Sequence, residues 1–139
     1  MNKVLSTLVG NQVENPSSVI EQGFSGNNSV TAGCLIRATS VYSICNGTVI
    51  STGIDPINDT LTITVEVNSQ KWIRYCRLSP ETLLNVGQKI QVGNFLGFAY
   101  DGLVRVEYCT SVPSKFPVRE LHKQLYKHDP TPVLFGGAI

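Results

Sequence analysis

Residues 86–97 read VGQKIQVGNFLG, and this stretch decides the fold prediction. Gly87 and Gly93 stand where glycine permits the positive φ of a tight turn. Between the two glycines, Ile90 and Val92 alternate with polar residues, which indicates a short strand crossing from a sheet edge to the core. The stretch therefore predicts two tight turns separated by a few residues of strand.

Short strands with turn residues between them continue on both sides of this stretch. The clearest lies at residues 60–67, where every second residue from Leu61 to Val67 is apolar. The turn at residues 68–70 predicts a hairpin with residues 72–77. Further strands are predicted at residues 33–39, 47–51, 89–92, 95–99 and 103–109. This spacing favours an all-β fold, a small β-sandwich or a partly open barrel.

The length of 139 residues suits a single domain. We divide the chain into an N-terminal arm at residues 1–18, one β domain at residues 19–135 and a tail at residues 136–139. The arm is predicted to be loose and to end in the turn cluster NPSS. A short C-terminal helix is predicted at residues 119–127, where two leucines share one helical face.

The charge and hydropathy of the chain exclude two classes of partner. The net charge is +1, which gives no electrostatic basis for binding nucleic acid or an anionic membrane. No stretch approaches the roughly 20 apolar residues of a membrane span. The N-terminal apolar run is too short for a secretory signal, so we expect the protein to be kept inside the cell that makes it or built into something assembled there.

The cysteines are scattered and show no paired C-x-x-C spacing; they are Cys34, Cys45, Cys76 and Cys109. This spacing is not that of a zinc ribbon, and we predict buried free thiols. A joint metal site of Cys76 and Cys109 would need a bulge, because strict alternation turns Cys76 away from Arg77 while Cys109 keeps the side of Arg105.

Two glycine-containing segments resemble the duplicated β-hybrid motif. Residues 46–53, NGTVISTG, are similar to the turn that opens this fold, and residues 86–97 are similar to its second signature. Biotinyl and lipoyl domains, sugar phosphotransferase carriers and the lysostaphin-type (M23, LytM-like) zinc endopeptidases share this scheme. The two segments thus imply a fold and leave the function open.

The flanking segments resemble one of these families in order and spacing, the M23 endopeptidases. The matching segments are IEQGFSG at residues 20–26 for the family's G-F-G entry, YCRL at 75–78 for Y-x-H-L, LVRVE at 103–107 for H-L-H-F-E, and HDPTPVL at 128–134 for the closing D-P-x-x-x-L. The correspondence runs from about residue 20 to residue 134. The resemblance implies a degenerate M23-type domain.

The same resemblance assigns the catalytic positions. It implies one zinc held by H-x-x-x-D and by the second histidine of H-x-H, with two further histidines assisting the attacking water. Those positions are occupied here by Thr31, Leu35, Arg105, Leu103 and Arg77. Leucine cannot ligate zinc, and arginine stays charged and has no acceptor atom. Catalytic zinc needs about three protein ligands, so we expect no metal, no other cofactor and no catalysis.

Arg77, Arg105 and Glu107 are predicted to converge on the groove that holds zinc in the family. One interpretation is a grip on a carboxylate of a partner peptide. The other, which we favour, is an internal Arg–Glu bridge that fills the vestigial site.

Relocated ligands and an attached cofactor are two further interpretations. His122 and His128 are the two histidines of the sequence, and we expect ordinary surface side chains rather than a zinc pair. Lys71 lies at a hairpin turn, as an attachment lysine does in biotinyl domains, but QKW matches neither the M-K-M nor the D-K-A motif. No attached cofactor is expected.

The resemblance leads to a functional hypothesis. M23-type chains without a secretion signal imply a structural virion protein of a bacteriophage tail or baseplate, assembled in the host cytoplasm with other tail proteins as a homo- or hetero-oligomer. Two alternatives stay open. One is a virion-associated peptidoglycan hydrolase with atypical zinc ligands, and the other is a cytosolic binding or regulatory module.

Overall fold

The structure is a computed structural model that describes residues 3–24, 33–55, 59–81, 84–111 and 125–135. Within these ranges it contains two short α-helices and ten β-strands. The helices are α1 Lys3–Val9 and α2 Thr131–Leu134. The strands are β1 Ile20–Gln22, β2 Cys34–Arg37, β3 Ser40–Tyr42, β4 Gly47–Asp55, β5 Thr60–Asn68, β6 Lys71–Leu78, β7 Lys89–Ile90, β8 Phe95–Phe98, β9 Leu103–Ser111 and β10 Leu125–His128. Single turns of 3₁₀-helix lie at Pro16–Ser18 and Tyr100–Gly102.

The strands form one large and one small antiparallel sheet. The large sheet has the order β1-β2-β9-β6-β5-β4-β7, with β10 paired to β9, and the small sheet is β3-β8. β2 pairs with the first half of β9 and β10 with its second half, along the same edge. In the described part of the chain the large sheet does not close into a barrel. The predicted all-β class is confirmed.

The β5–β6 hairpin forms as the alternating pattern predicts. Ile63 and Val65 are fully buried, whereas Glu66 is half-buried on the other face. The side chain of Asn68 accepts a hydrogen bond of 2.9 Å from the backbone N–H of Gln70, which stabilises the turn. This hairpin and β9 make up the centre of the large sheet.

The hydrophobic core joins one face of the large sheet to α1 and the small sheet. Tyr75 is fully buried there, and its hydroxyl accepts a 3.1 Å hydrogen bond from the Ile44 backbone N–H. Ser43 and Cys45 also contact that hydroxyl, at 3.4 and 3.6 Å. The tyrosine of the Y-x-H-L segment thus has a structural role, because it satisfies polar groups inside the core.

The N-terminal segment differs from the loose arm that we predicted. Leu5 and Leu8 of α1 are fully buried, and Val13 is 3% exposed in the same core. The Val13 N–H donates to Ser6 Oγ at 2.8 Å and fixes the chain after the helix. A short helix that gains its stability from tertiary packing gives a weak local signal, which explains the miss. The division into arm, domain and tail remains a prediction.

The glycine-rich stretch has the predicted turns. Gly87 has φ +94° and Gly93 has φ +88°. Between them β7 pairs with the start of β4, and Ile90 is buried as predicted. Val92 is 53% exposed, so the crossing to the core predicted for both apolar residues applies to Ile90 alone.

The C-terminal helix forms later in the chain than predicted. Residues 125–127 are strand rather than helix, because they pair with β9 and tertiary pairing overrides local spacing. Residues 119–124 lie outside the described residues. The short helix is α2, where the Asp129 side chain accepts a 2.9 Å hydrogen bond from the Thr131 N–H. Val133 and Leu134 are buried, so the D-P-x-x-x-L segment anchors this end to the core.

Candidate functional site

Three of the positions that the resemblance assigns to the catalytic site lie on neighbouring strands: Leu35 on β2, Arg105 on β9 and Arg77 on β6. Leu35 of β2 and Arg105 of β9 are cross-strand partners. On its other side Arg105 faces Cys76 of β6. All three residues are half-buried. The structure therefore brings together two positions that the sequence separates by 70 residues, as the resemblance predicts.

These side chains share the face of the large sheet that points away from the core. Val104 and Val106 of β9 are fully buried in the core, so the alternate residues Leu103 and Arg105 face the other way. Directly opposite residues of paired strands point to the same side of a sheet. Leu35 and Cys76 consequently lie on this outer face with Arg105.

Arg77 ends β6 in an unusual backbone conformation. Its φ is +68°, in the left-handed region that side chains other than glycine rarely adopt. Its guanidinium donates to the Leu103 carbonyl at 3.3 Å and to the Tyr100 carbonyl at 3.5 Å, and lies 5.5 Å from the centre of the Tyr100 ring. These contacts hold a permanent positive charge where β9 begins.

The irregularity at Arg77 also corrects the predicted side of Cys76. We expected Cys76 to point away from the face of Arg105, but Cys76 is the residue that pairs with Arg105. Cys109 pairs with Trp72, four residues further along the same face, or roughly 13 Å away at the usual rise per residue. None of the four cysteines forms a disulfide, as predicted, and Cys34, Cys45 and Cys109 are buried; Cys76 is half-buried, so the predicted burial is wrong for it.

Glu107 is the buried carboxylate of this face. It is 3% exposed, and its Oε1 lies 3.3 Å from Nη1 of its cross-strand partner Arg74. We predicted an internal bridge with Arg105; the ion pair described for Glu107 is with Arg74, and a bridge to Arg105 stays a prediction. Sequence reasoning missed Arg74, because placing it opposite Glu107 requires the β6–β9 register.

Gly33 itself lies close against β9. A Cβ atom at Gly33 would lie 2.4 Å from the Val106 carbonyl oxygen and 2.9 Å from Glu107 Cγ, and its φ is +81°. Glycine is thus required between Thr31 and Leu35 by both space and backbone conformation. Thr31 itself lies outside the described residues.

The remaining candidates are two histidines and a lysine. His122 lies outside the described residues, and the backbone of His128 pairs with that of Tyr108 in β10. Lys71 begins β6 directly after the hairpin turn.

The residues present do not fit a catalytic zinc ion. Leu35 and Leu103 offer no donor atom, and the guanidinium of Arg77 is directed at two carbonyl groups. In the ranges that the structure describes, no three histidine, cysteine, aspartate or glutamate residues are grouped to hold a metal. The chemistry available on this face is that of hydrogen-bond donation from fixed cations.

The thiols of Cys34 and Cys45 are not activated groups. Burial raises the pKa of the Cys45 thiol, although hydrogen bonds from Tyr75 and Ser43 oppose this shift. Burial also raises the pKa of Cys34, opposed chiefly by Thr131. The pKa of Tyr75 is raised by its complete burial. All three groups stay protonated at neutral pH and serve packing rather than nucleophilic chemistry.

The fold is similar to several solved M23 peptidase domains. The catalytic domain of the prophage-encoded M23 protein EnpA from Enterococcus faecalis matches with a TM-score of 0.61 and 14% identity, over 86% of this chain and 92% of that chain. LytU matches with a TM-score of 0.60 and 16% identity, over 88% of each chain. Lysostaphin from Staphylococcus simulans matches with a TM-score of 0.64 and 15% identity, over 86% of this chain and 52% of that chain.

These similarities show that the chain has an M23-like fold. No protein-family model matches the sequence, and no curated protein does. Neither α1 nor α2, the α-helices of the described residues, has the length and apolar character that crossing a bilayer requires.

Proposed function

We propose that this protein is a non-catalytic M23-fold subunit that acts in a larger assembly. The observation that carries this proposal is the pairing of Leu35 with Arg105 across β2 and β9. These two residues stand at the positions that the resemblance assigns to an aspartate and a histidine ligand. Leucine offers no donor atom to a divalent cation, and the positively charged guanidinium repels one.

The proposal extends to the neighbouring positions of the outer face. Arg77 stands at the position of a histidine that assists the attacking water, and its Nε and Nη2 already donate to backbone carbonyls. A guanidinium stays protonated at all accessible pH values and so does not act as a general base. The leucines and arginines at these positions therefore offer neither a zinc ligand nor a general base.

The arginines of this face suit contact with a partner. Arg77 and Arg105 are half-buried, so part of each side chain meets solvent. Guanidinium groups make strong, directional hydrogen bonds to carboxylates. The proposed role of Arg77 and Arg105 is to hold an acidic side chain or a chain terminus of a neighbouring subunit, with Glu107 paired inside the protein.

The assembly that we propose is a bacteriophage tail or baseplate, where the subunit is a structural virion protein. Two considerations support this placement. The EnpA domain, which shares the fold, is prophage-encoded. The net charge of +1 also fits contact with protein rather than with nucleic acid.

The experiment has an enzymatic arm and an assembly arm. The purified full chain is dialysed first against zinc and then against buffer. Its metal content is measured, and its ability to clear cell-wall suspensions is assayed with lysostaphin as the positive control. We expect substoichiometric zinc and no clearing. Stoichiometric zinc with zinc-dependent clearing would replace the proposal by a peptidoglycan hydrolase with atypical ligands.

The assembly arm uses an antibody raised against the full chain. Phage particles produced by the source strain are purified, and the antibody is located by immunogold electron microscopy. Label at the tail supports the structural role. Particles that contain no trace of the chain by mass spectrometry would contradict the virion placement and favour a binding module that acts inside the cell.

A further inference from the structure

A second concave surface lies on the other side of the core from Arg105. It is an open groove of about 730 Å³ between the end of α1 and the small sheet, and its lining includes Thr7, Gly10, Asn11, Gln12 and Tyr42. A volume of this size is typical of sites for small ligands. The groove is formed entirely by described residues and shares none of the residues of the outer face.

The lining of this groove is polar and uncharged. Asn11 and Gln12 are exposed, and each amide offers both a donor and an acceptor. The Gln12 amide nitrogen donates to Glu14 at 3.3 Å, which orients the side chain. A second cavity of about 370 Å³ also includes these two residues in its lining, so the amides stand where the two hollows meet.

An aromatic row forms the wall of the groove and continues beyond it. Tyr42 packs so closely on Gly10 that a Cβ there would lie 2.4 Å from its ring. The Tyr42 ring meets that of Phe95 at 5.6 Å between centroids, and Phe95 meets Phe98 at 5.3 Å, both edge to face. Phe95 and Phe98 are nevertheless 46% and 50% exposed. Clustered exposed rings on a soluble protein mark a contact surface.

We propose that this groove, together with the aromatic row, binds a neutral oligosaccharide. Sugar hydroxyls both donate and accept hydrogen bonds, as the Asn11 and Gln12 amides do. The apolar C–H faces of a pyranose ring stack on fixed aromatic side chains such as Tyr42 and Phe95. The groove lining holds no cation for an anionic ligand, and the arginine of the adjoining cavity, Arg37, is paired with Glu21. This site is independent of the proposed non-catalytic role.

The test is a two-dimensional NMR titration of the full chain with cellotetraose, maltotetraose and chitotetraose. We expect one of these sugars to shift the amide signals of Asn11, Gln12 and Tyr42, and to leave those of Leu35 and Arg105 unchanged. Asn11→Ala and Phe95→Ala should each weaken binding about tenfold, the effect of losing one good contact.

Phe135→Ala is the matched control, because Phe135 is 49% exposed but lies outside the groove. Its affinity should equal that of the unsubstituted chain. Thermal melting confirms that each variant is folded. The proposal is overturned if none of the three sugars shifts the groove signals, or if Phe135→Ala weakens binding as much as Phe95→Ala.

Discussion

Leu35 and Arg105 face each other between β2 and β9, on the face of the large sheet that is turned away from the core. The M23 resemblance assigns these two positions to an aspartate and a histidine that hold zinc together. The backbone register thus keeps the two positions adjacent, while the leucine and the arginine that occupy them offer no donor atom to zinc.

Restoring the ligands should create a zinc site. We expect the variant with Thr31→His, Leu35→Asp, Leu103→His and Arg105→His to bind zinc, because the strand pairing places residues 35 and 105 side by side and the resemblance assigns the other two positions to the same site. Zinc content after dialysis measures the effect. The control carries Thr31→His and Leu103→His alone and should stay free of stoichiometric zinc. A folded fourfold variant without zinc would show that the strand register alone does not recreate the site.

Removing the cation beside Glu107 should destabilise the protein. Arg74→Met leaves a carboxylate that is 4% exposed without its described ion pair, at a cost on the order of 2 kcal/mol, since Arg74 is itself partly exposed. Urea unfolding measures the change. Arg37→Met is the matched control, because the Arg37–Glu21 pair is 48% and 46% exposed and should contribute less than about 1 kcal/mol. Equal effects of the two substitutions would contradict this account.

The backbone conformation of Gly93 should determine its substitution cost. A Cβ at Gly93 meets no atom within 4 Å, but the φ of +88° is unfavourable for alanine. Gly93→Ala should therefore cost about 1–2 kcal/mol in the free energy of unfolding. Gly53 also has open space and has no positive φ, so Gly53→Ala should not destabilise. If Gly93→Ala is as stable as Gly53→Ala, the positive φ at residue 93 does not require glycine, and the prediction is wrong.

The first helix should contribute to global stability. Leu5→Ala and Leu8→Ala remove fully buried side chains and should each cost about 2–5 kcal/mol in the free energy of unfolding. Lys3→Ala at an exposed position of α1 should change it by less than about 0.5 kcal/mol. Unchanged stability of Leu8→Ala would mean that the segment is a loose arm.

Stability should fall at alkaline pH. Burial raises the pKa of Cys45 above its ordinary 9.0 and that of Tyr75 well above its ordinary 10.0. In the unfolded chain each of these two groups loses its proton once the pH exceeds its ordinary pKa, whereas the folded protein retains the proton. Unfolding therefore becomes more favourable as pH rises. Urea midpoints from pH 7 to 11 measure the decline, and Tyr75→Phe should make it shallower. A midpoint that is constant up to pH 11 would contradict the prediction.

The strands were predictable because each one buries a single face, so apolar and polar residues alternate at neighbouring positions of the sequence. From Thr60 to Leu78 the hairpin followed the pattern, and the positive φ of Gly87 and Gly93 followed from the glycines. The helix at Lys3–Val9 was not predictable, since seven residues carry little intrinsic helix signal and depend on distant partners.

The candidate site was predictable in its register and not in its ion pair. The order of motifs placed Leu35 and Arg105 together, and β2–β9 pairing does the same. The left-handed Arg77 broke the alternation that we used for Cys76, and the partner of Glu107 required knowledge of which strands are neighbours. Such facts depend on tertiary pairing, which a single sequence specifies only indirectly.

The central claim is that the ligand positions of this M23 fold no longer bind metal. The most direct test of this claim is the zinc content of the unsubstituted full chain. It is measured by mass spectrometry after equilibration with excess zinc and dialysis. The account predicts far less than one zinc per chain and a melting temperature that zinc and chelator leave unchanged. One tightly held zinc per chain, with a melting temperature lowered by chelator, would contradict it.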